Sequence, residues 1–156
     1  MRFKGKKPIF NYEDTFSLDV TLAPVICEGL KKFKEVLDNR DSEEKCYGVP
    51  WSCYEKVGAN LEHWDDEKDN EAVKLWFDTL DKMIYAFEKD NEPDIKNYSF
   101  DIEMVPVEDP EGHKRYTIEV TGKDDEERYR KDLENHEEKI DEGLRLFAEH
   151  FKDLWF

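Results

Sequence analysis

The sequence is short of cysteine, of positive charge and of long apolar runs, and each shortage removes a class of protein. Cys27, Cys46 and Cys53 form an odd set, too small for a disulfide framework. Cys27 falls on an apolar helical stripe and reads as a small core residue. Cys46 and Cys53 flank Tyr47, Pro50 and Trp51, with a spacing wider than zinc ligands prefer. No apolar run reaches the about 18 residues that a membrane-spanning helix needs. No basic segment leads into an apolar one at the N-terminus, so no secretory signal is read. Bases are few: 24 Lys and Arg stand against 40 Asp and Glu, a net charge of −16. Direct nucleic-acid binding needs a basic footprint that this balance denies. Gly-rich phosphate loops and Gly-x-Ser-x-Gly elbows are absent too.

Aromatic residues are plentiful. Four Trp, seven Tyr and ten Phe make 13% of the chain. Charged residues make 41%, which alone would suggest disorder. Aromatics bury large areas when packed, so they argue for a core inside a charged shell. The length of 156 residues fits one domain.

The expected fold class is α+β, mostly α, with three amphipathic helices and one β-hairpin. Residues 1–16 read as a basic, irregular arm carrying Arg2, Lys4, Lys6 and Lys7. Helix one is expected over 21–38, capped by Thr21 with Pro24 in its first turn, where a missing N–H costs little. Leu22, Val25, Ile26, Leu30, Phe33 and Leu37 form its apolar face. Residues 39–70 read as an irregular acidic loop holding Trp51, Tyr54 and Trp64, with short helical turns near 52–58 and 60–64.

Helix two is expected over 70–90, with Val73, Trp76, Phe77, Leu80, Met83, Ile84 and Phe87 as its stripe. Over 98–121 the apolar period changes to two. Phe100, Ile102 and Met104 alternate with acids, as do Tyr116, Ile118 and Val120 with Thr117 and Glu119. That pattern reads as a hairpin. A lone hairpin is marginal in water, so its apolar face must cover helices or meet another chain. Helix three is expected over 124–153, with the stripe Tyr129, Leu133, His136, Ile140, Leu144, Phe147, Phe151 and Leu154. Thirty residues would span about 45 Å. At that length one end either projects or packs on a second protomer, and a homo-oligomer is expected.

Three segments carry a family resemblance. They are Asp19-Val-Thr-Leu-Ala with Leu30-Lys-Lys-Phe-Lys-Glu, then Trp76-Phe-Asp-Thr-Leu-Asp-Lys-Met-Ile-Tyr-Ala-Phe-Glu, then Gly143-Leu-Arg-Leu-Phe with Phe151-Lys-Asp-Leu-Trp. Together they resemble a family of small uncharacterised acidic proteins of tailed bacteriophages. The resemblance implies an accessory protein acting in a bacterial cytoplasm, and it implies no enzymology.

For chemistry, Glu134, Glu138 and Asp141 lie at helical spacing on one face, with Asp78 and Asp81 available on another helix. That pattern suits magnesium in a nucleotide hydrolase. With 40 acids such spacings also arise by chance, and a solvated helix face explains them as well. His63, His113, His136 and His150 are scattered, with His136 on an apolar stripe and His150 at a surface position.

Binding is therefore the preferred reading, with no cofactor. A nucleotide-derived immune signal would meet Arg2, Lys4, Lys6, His113, Lys114 and Arg115 through its phosphates. Trp51 and Trp64 would stack on its bases. The alternative partner is a basic host protein gripped by an acidic, DNA-like surface. Local balances of −7 over 41–71, −7 over 88–111 and −6 over 124–142 supply that surface.

Overall fold

The computed structural model describes residues 2–41, 48–59, 65–88, 91–108 and 114–154. Its architecture is α+β and mostly α. The chain forms two compact units. One comprises 1–90 with 139–156, the other 91–138.

The first unit opens with a correction. The N-terminal segment is not irregular: β1 (Arg2–Lys4) pairs antiparallel with β2 (Lys7–Ile9). Gly5 makes the turn at φ 63°, a left-handed conformation that suits a residue without a Cβ. A 3₁₀ turn at Glu13–Thr15 follows and leads into α1 (Leu18–Asp38). This helix begins a turn before Thr21, so Thr21 is not its cap. Its hydroxyl instead donates to the Asp14 carbonyl at 3.0 Å, tying the turn to the helix. Pro24 consequently lies inside the helix rather than in its first turn.

Within 39–70, a short helix α2 (Trp51–Lys56) forms where a helical turn was expected near 52–58. The segment 60–64 and Trp64 lie outside the described residues. The third helix, α3 (Asp66–Phe87), starts before the expected residue 70. Asp65 explains the earlier start, because its carboxylate accepts from the Glu67 N–H at 3.0 Å and caps the helix. The Tyr54 hydroxyl donates to Asp69 at 2.7 Å and links α2 to α3.

Cys27, Leu30 and Leu37 of α1 are buried with Cys53 and Tyr54 of α2 and with Ala72, Trp76, Leu80, Met83 and Ile84 of α3. Burial pushes the Cys53 thiol up to about 11. Leu146, from the last helix, completes this core.

That last helix, α4 (Lys123–His150), runs for 28 residues from the second unit into the first. It ends earlier than the expected residue 153, in a 3₁₀ turn at Phe151–Asp153. Its buried face in the first unit is Gly143, Leu146 and His150, not Leu144 and Phe151, which are exposed. Gly143 sets this rotation. A Cβ there would stand 2.3 Å from the Lys82 carbonyl oxygen and 2.6 Å from the Ala86 Cβ, so α4 presses its backbone on α3 at this point. Positions three and seven further on then face inward. His150 is therefore not a surface residue. It is 1% exposed, packs edge-on against Trp76 at 5.2 Å and places Nδ1 2.9 Å from Asp153.

The second unit holds β3 (Asp101–Glu108), β4 (Lys114–Thr121) and the first half of α4. The strands pair antiparallel, with Ile102 opposite Val120, Met104 opposite Ile118 and Pro106 opposite Tyr116. The turn between them lies outside the described residues. Tyr98 and Phe100 stack on Tyr129 at 5.0 and 5.6 Å. Tyr98 also donates to Asp132 at 2.5 Å, which pushes its hydroxyl pKa up, while Arg128 covers its ring at 5.0 Å. The Ser99 N–H donates to Asp125 at 2.9 Å. No described helix is long and apolar enough to cross a membrane.

Candidate functional site

The strongest candidate is the hairpin of the second unit. Period-two alternation puts Ile102, Met104, Pro106, Tyr116, Ile118 and Val120 on one face. Such a face ordinarily lies against a core. Here Ile102 is 58% exposed, Met104 74%, Tyr116 59% and Ile118 64%. No described residue of 91–138 is fully buried. Contiguous exposed apolar surface of this kind marks an interaction site.

The other face is charged. It carries Asp101, Glu103, Val105 and Val107 from β3 and Arg115, Thr117, Glu119 and Thr121 from β4. Glu103 stands directly opposite Glu119, an arrangement that disfavours the pair in isolation. Around the hairpin, 91–138 holds sixteen Asp and Glu against seven Lys and Arg, a net of −9. On α4, Lys131 bonds Glu127 at 3.0 Å and holds that carboxyl below its ordinary range. The chemistry offered is an apolar strip bordered by carboxylates.

The expected anion-binding residues fall on separate elements. Lys4 ends β1, and Lys6 lies in the turn before β2; both are exposed. Arg2 begins β1. Trp51 opens α2, is 67% exposed, and has Tyr54 as its ring neighbour at 5.7 Å. Lys114 and Arg115 begin β4 in the other unit. His113 and Trp64 lie outside the described residues.

A shallow groove of about 350 Å³ in the first unit is lined by Lys31, Lys34, Glu35, Asp38, Asp81 and Ile84. Its lysines already serve acids: Lys31 bonds Glu88 at 2.5 Å, which raises the Lys31 pKa, and Lys34 bonds Asp81. Among the described residues no three His, Cys, Asp or Glu side chains converge as metal ligands. Glu134, Glu138 and Asp141 lie along α4, and Asp78 and Asp81 along α3.

Alternation alone does not reveal that the hairpin face is open. The usable signal is a deficit. The α4 half of this unit offers only Tyr129, Leu133 and His136 as an apolar stripe, too little to cover six hairpin residues. Comparison with protein-family models, with curated proteins and with solved structures returns no match in any of the three.

Proposed function

We propose that the chain is a non-catalytic binding protein whose 91–138 unit captures a basic protein, and that this partner belongs to a host defence system. The exposed apolar face of the hairpin carries the reading, because folding leaves it bare within a segment of net charge −9. Apolar contact would supply affinity, while the surrounding carboxylates would steer a cationic partner and make capture sensitive to salt. The resemblance to small proteins of tailed bacteriophages supplies the defence context and the bacterial cytoplasm as its setting.

The test passes bacterial lysate over the immobilised full chain and over a Met104→Asp/Ile118→Asp variant, with elution by stepwise salt. A basic protein retained by the unaltered chain, lost from the variant and released by salt is the expected result. Equal retention by both, or retention of proteins without a basic surface, refutes the reading.

A second reading has its own observation. Lys4 and Lys6 are exposed cations in an acidic chain, and neither enters an ion pair among the described residues. Their charge favours sequestration of a nucleotide-derived signal through its phosphates. Intact nucleotide released on heat denaturation supports it. A metal-dependent product supports a hydrolase instead, and the absence of any melting shift with nucleotides excludes both.

A further inference from the structure

Among the described residues no further strand pairs with this hairpin, so both of its edges are open, and the two differ. The β3 edge contains Pro106, which lacks an N–H and blunts further pairing. It also carries Asp101 and Glu103. The β4 edge has no proline and is built of β-branched, aromatic and oppositely charged residues.

From the pairing register we infer that two copies of this chain join β4 to β4, antiparallel, about a two-fold axis at Thr117. The result is one four-stranded sheet. Antiparallel pairing about Thr117 sets Arg115 opposite the partner's Glu119, and Tyr116 opposite the partner's Ile118. Thr117 meets its own copy. All three are favourable cross-strand pairs, and every residue keeps its face.

The register also answers the like-charged pair within each hairpin. Glu103 and Glu119 stand side by side in one copy. In the dimer the partner's Arg115 extends that row and brings a cation beside Glu119. An arginine presents five donors, so this contact adds to the bonds Arg115 makes within its own chain. Two hairpins side by side double the apolar face without covering it. The inference thus deepens the proposed binding role by describing how its surface is assembled, and it rests on that reading only for the use of the surface.

An eight-residue edge runs about 27 Å. An interface this narrow sits at the weak end of specific association. Sedimentation equilibrium of the full chain at high micromolar concentration is therefore the experiment, with no other protein present. The expected mass is twice the chain's 18.7 kDa. Arg115→Glu alone and Glu119→Arg alone should each give monomer, since each sets like charges across the axis. The double variant restores the pairs with inverted sign and should recover the dimer. Thr117→Cys should cross-link between copies under oxidation, whereas Val107→Cys, on the far strand, should not.

A mass of 18.7 kDa at every concentration overturns the inference. So does a dimer indifferent to both charge reversals, or a double variant that stays monomeric. A monomer that still retains its basic partner defeats the dimer and leaves the proposed function standing; a dimer with no partner does the reverse.

Discussion

Gly143→Ala adds one methyl group at the point where α4 meets α3, and its cost can be worked from the packing. In an open helix position this exchange stabilises by roughly 1 kcal/mol, because glycine loses more backbone freedom than alanine. At Gly143 the added Cβ would lie 2.3 Å from the Lys82 carbonyl oxygen and 2.6 Å from the Ala86 Cβ. A backbone oxygen in mid-helix cannot swing aside, so α3 and α4 must separate. Overpacking costs about 1–3 kcal/mol. The rigid neighbour argues for the upper part of that range, leaving a net loss of about 2 kcal/mol after the helix gain. Gly29, within α1, provides the control, since a Cβ there meets nothing within 4 Å. Thermal melts of both variants by circular dichroism make the comparison. At roughly 2–4 °C per kcal/mol, Gly143→Ala should lower Tm by about 4–8 °C. Gly29→Ala should raise it by about 2–4 °C. A Gly143→Ala variant as stable as Gly29→Ala would refute the close helix contact.

Other outcomes follow from the same structure. Leu37 is fully buried, so Leu37→Ala should cost about 2–5 kcal/mol, read by urea unfolding. Cys53 has its thiol pKa raised from 9.0 to about 11, so the folded state holds that proton more tightly than the unfolded one. The associated stability is intact below pH 9 and is lost as pH rises towards 11; Tm should fall over that interval, and less so in Cys53→Ala. The same thiol should alkylate slowly at pH 8 until the chain unfolds, which a mass-spectrometric time course would follow. Added salt should raise Tm, because the self-repulsion of a net charge of −16 outweighs exposed pairs such as Lys82–Glu142. A fall in Tm on adding 0.5 M (roughly) sodium chloride would contradict that balance.

The helices were legible wherever a periodic apolar stripe met a core. Trp76, Leu80, Met83 and Ile84 are placed by their spacing alone, and all four are buried. Boundaries were less legible, because local side-chain bonds decide them. Thr21 has the chemistry of a cap, yet its hydroxyl is taken by Asp14 and the helix starts a turn earlier. The α4 stripe departs from the expected one at Leu144 and Phe151 for a different reason. Over 28 residues several apolar rows compete, and the choice between Leu144 and Leu146 is made by Gly143 docking on α3. That docking also turns His150 inward against Trp76. For the candidate site, alternation identified the residues of the hairpin face, but exposure is a tertiary property that no local pattern encodes. The dispersal of Lys4, Lys6, Trp51 and Arg115 over β1, the turn before β2, α2 and β4 is likewise a matter of where elements settle.

The proposed function requires the hairpin face to be surface reserved for another molecule rather than part of the chain's own core. The melting temperature of Met104→Asp/Ile118→Asp tests this most directly. Both side chains are more than half exposed, so two carboxylates there should leave Tm within about 4 °C, corresponding to roughly 1 kcal/mol of strand propensity. A fall of ten degrees or more, on the order of what burying two unpaired charges would cause, would place that face inside the fold and contradict the account.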